Sequence, residues 1–473
     1  MGIMAKIKLF CAKVSGKVVT QLSKIGPGQG RSIPGRIFHI VGGDQSVSYL
    51  ASDIKLGSVL VTGTNGKTTT TKLLVSLMSK DIQIRKSFEN NTINSLITAT
   101  LNQKGDLGVF EYGIRNIRYG IPDKVQKLFN PIGVVYTTIS QEHTVVNNVR
   151  NPFSDYIEAK KLLSKGMDHG VVVANCDDPY TAFIGVNKEE DIPVNYFGFD
   201  EDLIDLDNKE NLCPNCSKPL VYSKRFLGHR GIYSCQCGFK RPEPNVRLTN
   251  LELNDNDHWD ITIVGDVYNY FKSENVQFDI NLTVPPFGAH NLYNTLAAIT
   301  AYVTFTPKLD NIEKNIKDVF NNLTMAIIPP GRFEVMNYND KCLGIGQGDN
   351  GDAMRMNGRL MGLYVDGPVE LIYTTPDELE DDIFNDHLHI IKLMNPDHII
   401  VVPGRKSVEK AEEYYNIIKK EFESAEFIPM EYNLDERSSK VTDLAKNSKY
   451  DYVIVTGCGE EIAFWERIKR NFK

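Results

Sequence analysis

Residues 58–71 constrain this chain more than any other stretch. Ser58-Val59-Leu60-Val61 is a short apolar run, and Thr62-Gly63-Thr64-Asn65-Gly66 is a glycine-bearing turn. Lys67-Thr68 then opens a helical pattern whose apolar positions include Leu73, Leu74 and Leu77. A strand, a tight turn and a helix in that order build a phosphate cradle. Backbone N–H groups and the positive helix end hold the phosphates, Lys67 reaches the terminal ones and the Thr68 hydroxyl coordinates Mg²⁺. The strict eight-residue spacing is not met, because its first glycine would fall at Val61. The plain alternative is an ordinary turn followed by a lysine. The run Thr69-Thr70-Thr71 is a poor way to start a helix, since β-branched side chains lose rotamer freedom there.

Short apolar runs at 107–110, 133–136 and 171–174 alternate with helical patterns, which is the signature of a parallel sheet covered by helices. The alternation stops after Asn195-Tyr196-Phe197-Gly198, and two amphipathic β-like runs follow at 246–253 and 276–284. Pro329-Pro330-Gly331 marks a hinge. Beyond it, 371–373, 398–402 and 452–455 read as strands of a second α/β sheet. A length of 473 residues suggests about three domains. The expected fold is α/β: a short N-terminal region (1–55), a central P-loop-type ATPase domain (56–328) and a C-terminal Rossmann-like α/β domain (329–473).

Four of the eight cysteines lie close together as Cys213-x-x-Cys216 and Cys235-x-Cys237. Paired thiolates at such spacing supply the four ligands of a tetrahedral structural zinc, and Gly238 suits the turn of a zinc knuckle. Reduced thiols or a redox pair are the alternatives. Four sulfurs leave no open coordination position, so a ribbon inserted at about 209–243 would be structural. Cys11, Cys176, Cys342 and Cys458 are scattered and read as small buried apolar residues.

Composition narrows the function. With 53 Lys+Arg against 60 Asp+Glu the net charge is −7, which argues against a nucleic-acid binder. No window approaches the ~18 apolar residues of a membrane span. Residues 1–20 scatter lysines among apolar residues and do not read as a signal peptide. A cytoplasmic protein is expected.

The string Thr62-Gly63-Thr64-Asn65-Gly66-Lys67-Thr68-Thr69 resembles the ATP-binding loop of the Mur ligase family, which forms amide bonds in cell-wall precursors. Three further strings resemble family motifs, in the family's order: Asn175-Cys176-Asp177-Asp178-Pro179, the helix Gly288-Ala289-His290-Asn291-Leu292-Tyr293-Asn294, and Pro330-Gly331-Arg332-Phe333-Glu334. The resemblance implies Glu111 and His143 as magnesium contacts. It places Lys160 where many members carry a carbamylated lysine, with Lys161 able to take the same register. It puts Thr68 and Glu111 on one Mg²⁺, and His143 and Lys160 on the second. Asn175 and Asp178 would lie near the adenine, His290, Asn291 and Asn294 would position the nucleotide, and Arg332 would reach it across the hinge.

By the same resemblance the reaction passes through an acyl phosphate made from ATP. Two subgroups carry a comparable ribbon. One is the MurT-type synthetase subunit, which pairs with a glutaminase and amidates a lipid-linked precursor. The other comprises the MurE-like pseudomurein peptide ligases of methanogenic archaea, which act on a UDP-linked peptide precursor and an amino acid. The MurT-type Trp-x-Trp-Asp element is missing, because the corresponding stretch reads Leu371-Ile372-Tyr373-Thr374-Thr375-Pro376-Asp377. The run Tyr156–Lys160 looks more like an amino-acid-adding ligase. The second subgroup is therefore expected, with the glutaminase partner belonging only to the first. The family's nucleophile motif is replaced by Gly346-Gln347-Gly348-Asp349-Asn350-Gly351, where only Asn350 corresponds. A non-catalytic ATP-binding module and a folate-polyglutamate type ligase are the readings from other classes.

Overall fold

The computed structural model describes residues 2–473 apart from 24–30, 89, 141–144, 147–148, 151, 190, 201–209, 255–257, 285–288, 324–329 and 460. At 119, 145–146, 149–150, 253 and 289–290 it describes the backbone alone. Two compact units emerge. The first is residues 1–139, 151–286 and 291–327, and the second is 140–150, 287–290 and 328–473.

The first unit is built on a nine-stranded sheet. One end of it holds β1 (Ser58–Thr62), β2 (Ile84–Ser87), β3 (Leu107–Glu111) and β4 (Gly133–Tyr136), arranged in space as β2-β3-β1-β4 with β2 at the edge. Val171–Asn175, Val194–Phe199 and Val246–Leu253 continue the sheet in parallel, and Trp259–Asn269 and Glu274–Val284 close it as antiparallel strands. Every residue of β1, β3 and β4 is buried, as a sheet covered on both faces requires. The two closing strands instead alternate buried and exposed positions over most of their length, so one of their faces meets water.

The N-terminal region carries two helices, α1 (Ile3–Ser23) and α2 (Ile33–Ala51). Two glycines on these helices are close-packing positions. A Cβ on Gly16 would come 2.6 Å from Leu101 of helix α4 (Ile93–Asn102), and one on Gly42 would come 2.8 Å from the Ala12 Cβ. Helix α3 (Lys67–Met78) follows β1.

In the second unit, strands Lys341–Gln347, Tyr452–Gly457, Val369–Thr375, His398–Pro403 and Ala425–Phe427 form a parallel sheet, edged by antiparallel Glu334–Tyr338. Alternate residues feed two cores. Leu371, Tyr373, Ile399 and Val401 pack on one face, and Ile372, Ile400, Val455 and Trp465 on the other.

Candidate ATP site and the four-cysteine ribbon

Strands β1, β3, β4 and Val171–Asn175 lie side by side, and Gly63–Thr68, Glu111, Asn175 and Asp178 sit at or just beyond their carboxyl ends, where open α/β sheets bind ligands. Val61 pairs with Glu111 on one side and with Val135 on the other. This register brings the turn after β1 beside the last residue of β3.

Close packing shapes the turn. A Cβ on Gly63 would fall 2.0 Å from the Thr137 hydroxyl. Gly66 has φ +84° and faces the Asn294 side chain, which a Cβ would approach to 2.1 Å. Both positions therefore admit only glycine. The Thr64 N–H donates to Thr138 O at 2.6 Å, and the Thr137 hydroxyl donates to Asn65 O at 2.6 Å. Lys67 folds its ammonium back onto Gly63 O (3.1 Å) and Thr64 O (2.5 Å), a posture that holds the cation over the turn.

Glu111 is buried, and its two carboxylate oxygens accept separately. Oε2 takes the Thr68 hydroxyl at 2.8 Å, and Oε1 takes the Asn91 amide at 3.2 Å. Two hard oxygen donors side by side at the mouth of the turn fit a magnesium ion. Asn91 was not legible in the sequence, since nothing near it forms a motif.

The threonine run finds uses that outweigh its poor helix propensity. Thr68 meets Glu111, the Thr70 hydroxyl lies 3.4 Å from Asn294 Oδ1, and the Thr71 hydroxyl donates to Lys67 O at 2.7 Å. Asn294 also donates to Asn291 Oδ1 at 2.9 Å, so Asn291 of the helix Ala289–Phe305 supports the asparagine that faces the turn.

The two adjacent lysines of the helix Phe153–Lys161 separate clearly. Lys160 is fully buried; its ammonium donates to Gly63 O at 3.0 Å and to Ile114 O at 3.4 Å, and lies 4.5 Å from the Tyr156 ring centre. Lys161 instead pairs with Glu158 at 3.1 Å and covers Phe183. Tyr156 itself reaches the turn, its hydroxyl 3.1 Å from that of Thr64. His143 lies outside the described residues, and His290 is described by backbone alone. Arg332 belongs to the second unit, where its carbonyl accepts from Lys469 at 3.1 Å.

Asn175 and Asp178 are fully buried and embedded in protein contacts. Asn175 Oδ1 accepts from the Asp177 N–H at 3.0 Å. Asp178 caps the helix Pro179–Val186, accepting from Tyr180 N at 2.9 Å, and its other oxygen accepts from Ile139 N (2.6 Å) and the Thr138 hydroxyl (2.8 Å). Burial alone would raise its carboxyl, but His229, 3.2 Å away, and the Arg230 charge hold it below the ordinary value.

His229 and Arg230 come from the four-cysteine insertion, which docks on residues 176–178. Arg241 pairs with Asp177 at 2.7 Å, Gly231 N donates to Asp177 O at 2.9 Å, and the Tyr233 hydroxyl donates to Cys176 O at 2.9 Å. Arg230 donates to the Thr138 hydroxyl at 3.1 Å. Asp177 also accepts from Phe199 N and the Tyr293 hydroxyl, both at 2.8 Å. Arg241 falls inside the 209–243 insertion, where the sequence marks only the cysteines and Gly238. Its partner could not be read there, because 63 intervening residues separate the pair.

The sulfurs fit a tetrahedral metal. All four lie within 4.8 Å of one another, with Cys213–Cys237 at 3.7 Å and Cys216–Cys235 at 3.4 Å. A zinc–sulfur bond of ~2.3 Å implies sulfurs about 3.8 Å apart. The Phe239 N–H and the Asn215 amide draw the Cys237 thiol down to about 6, toward the thiolate a metal needs. Gly238, at φ +90°, makes the expected knuckle turn.

Comparison with known proteins agrees with this geometry. Residues 61–216 match the model of the Mur ligase middle domain. The chain is 26% identical over 342 residues to the MurT subunit of the glutamine-hydrolysing lipid II isoglutaminyl synthase of Staphylococcus aureus (strain COL), covering 67% of this chain and 66% of that protein, just under two thirds. In fold it is similar to a pseudomurein peptide ligase type C from Methanothermus fervidus, with a TM-score of 0.66, 22% identity, and coverage of 90% of this chain and 80% of the other. It is also similar to the MurF ligase of Thermotoga maritima in complex with ADP, with a TM-score of 0.60, 16% identity, and coverage of 91% and 82%.

Proposed function

We propose that this chain, a Mur ligase by its middle domain and its fold, is an ATP-dependent ligase that forms an amide bond on a cell-wall precursor and releases ADP. The observation that carries the reading is the gathering of Lys67, Thr68, Glu111 and Lys160 around the single turn from Gly63 to Gly66. Among the described residues no nucleophile triad stands there. A set of cations and hard oxygen donors suits a reaction whose main demand is neutralising phosphate charge.

A substrate carboxylate oxygen attacks the γ-phosphorus and ADP leaves. An amine nitrogen attacks the acyl carbon of the resulting acyl phosphate, and the tetrahedral intermediate expels inorganic phosphate as the amine gives up a proton. Lys67 holds the β- and γ-phosphates beside the turn's N–H groups. Thr68 and Glu111 would hold one Mg²⁺, and His143 with a carbamylated Lys160 the second; bound magnesium would spread the charge of the transferring phosphoryl group. In the ammonium form, the Gly63 and Ile114 carbonyls and the Tyr156 ring surround Lys160. Carbamylation would exchange a cation for an oxygen ligand at that same place.

The precursor we favour is a UDP-linked pseudomurein peptide, with an amino acid as the amine. The likeness to the Methanothermus fervidus ligase supports this, as does the absence of tryptophan from residues 369–377. The two tryptophans are Trp259 and Trp465, both buried in other elements. The 26% identity to a MurT subunit favours a second reading, in which the chain is the synthetase half of an amidotransferase acting on a lipid-linked precursor with a glutaminase partner. ADP release, measured with each amino acid and with ammonia at equal concentration on UDP-linked peptide precursors, separates the two. Ammonia outcompeting every amino acid would promote the second reading. Lys67→Ala should abolish turnover while leaving the fold intact, and full activity in that variant would overturn both.

A further inference from the structure

We propose that helix α1 seats this protein on an anionic membrane surface. The helix has two apolar faces. Ala12 and Gly16 are buried against α2 and α4, and Lys13 pairs with Asp53 at 2.9 Å, so the inner face is committed to the protein. The outward face of a surface helix is normally polar. Here it carries Ile3, Ile7, Phe10, Val14, Val18 and Leu22, all exposed, with Ile3 at 79% and Phe10 at 68%. Their spacing of four, three, four, four and four residues keeps them on one stripe at about 100° per residue.

Charge says what covers the stripe. The helix contains Lys6, Lys8, Lys13 and Lys17 and no acidic residue, in a chain whose net charge is −7. At the helical angle, Lys6 and Lys17 border one edge of the stripe and Lys8 the other, while Lys13 is taken up by Asp53. An apolar strip edged with lysines and free of carboxylates is complementary to an anionic lipid surface, where the strip sinks to the acyl boundary and the ammonium groups meet phosphates. A second copy docked stripe to stripe would set lysines against lysines with no acid on the helix to relieve them. Among the described residues no helix is long and apolar enough to cross a membrane. The helix therefore lies in the interface rather than spanning it. Its 21 residues extend about 31 Å along that plane. The proposal goes beyond the ligase reading and does not depend on it.

The test is co-sedimentation of the full chain with vesicles of equal parts phosphatidylglycerol and phosphatidylcholine, against phosphatidylcholine alone. Binding to the anionic vesicles is expected, weakening as salt rises. Phe10→Ser with Val14→Ser should bring it to the background without changing the melting temperature, since both side chains are exposed. Lys6→Gln and Lys17→Gln should each lower partitioning roughly fivefold. Three results would overturn the proposal: no binding to anionic vesicles at low salt, binding indifferent to the serine pair, or a concentration-dependent dimer that the serine pair abolishes in protein that ignores vesicles.

Discussion

The Arg241–Asp177 pair decides whether the ribbon is an ornament or part of the nucleotide site. Arg241 is 7% exposed and Asp177 is fully buried, with 2.7 Å between nitrogen and oxygen. Arg241→Met keeps most of the side-chain volume and leaves Asp177 with its bonds from Phe199 N and Tyr293 but with no opposite charge beside it. Removing one partner of such a pair costs about 3–5 kcal/mol. The two tryptophans make the measurement specific to one unit. In a Trp465→Phe background, Trp259 reports urea unfolding of the first unit alone. Adding Asp177→Asn to Arg241→Met removes the stranded charge and keeps both acceptor bonds, so the double variant should lose at least about 2 kcal/mol less than the sum of the singles. Because Asn175 and Asp178 flank Asp177, Arg241→Met should also weaken binding of a fluorescent ADP analogue by about tenfold, or 1.4 kcal/mol. A loss below about 1 kcal/mol, or strict additivity in the cycle, would refute the reasoning and reduce the ribbon to a passive insertion.

Other perturbations test the neighbouring assignments. Protein prepared without chelators should carry about one zinc per chain, and Cys213→Ser should lose it and melt lower, because metal binding contributes folding free energy; metal-free native protein would end that idea. Lys160→Ala should remove most ligase turnover, with partial rescue by acetate as a replacement oxygen ligand, whereas Lys161→Ala should leave turnover nearly unchanged; equal losses would undo the distinction between them. In the second unit, burial and then the Arg405 charge drive the His387 imidazole down to about 3. The folded state therefore refuses a proton that the unfolded chain accepts near 6.5, and stability falls as the pH drops through the window from 6.5 toward 3. About 2 kcal/mol should be lost by pH 5. Trp465 fluorescence in a Trp259→Phe background should show that loss, and His387→Gln should remove most of it; an unchanged acid sensitivity would assign it to other groups.

How far the sequence could be read depended on the range of the interaction. The strands at 58–61, 107–110, 133–136 and 171–174 were legible because a buried parallel strand is a local apolar run, and the structure extends each by at most one residue. The cradle was legible because Gly63, Gly66, Lys67 and Thr68 are neighbours in the chain. Helices α1 and α2 were not, since their contacts run through small residues such as Ala12, Gly16 and Gly42, which carry no apolar periodicity of their own. The strand Trp259–Asn269 was missed for its polar outward positions, Asp260, Thr262 and Asp266 among them. Asn91 and Arg241 were beyond reach for a different reason, because their roles depend on partners 20 and 64 residues away.

Those distant partners point to one physical idea about the insertion. Asp177 and Asp178 are fully buried carboxylates, and each needs a counter-charge that the central sheet does not provide. Among the described residues, the ribbon brings the cationic or potentially cationic groups that meet them: Arg241 on Asp177, and His229 with Arg230 on Asp178. It brings backbone and hydroxyl donors to Asp177 O and Cys176 O as well. A small four-cysteine fold can hold those groups rigidly only if its own core is fixed, and a tetrahedral metal on the four sulfurs would fix it. The insertion thus completes the electrostatics of the element beside the ATP turn, so losing the metal should be felt first as a loosening of residues 175–178 and only then as unfolding. Hydrogen exchange on the described backbone separates these steps. Chelation should raise exchange at Tyr180 N and Ile139 N, which donate to Asp178, before it affects β1; simultaneous loss of protection in β1 would show that the metal supports the whole unit instead.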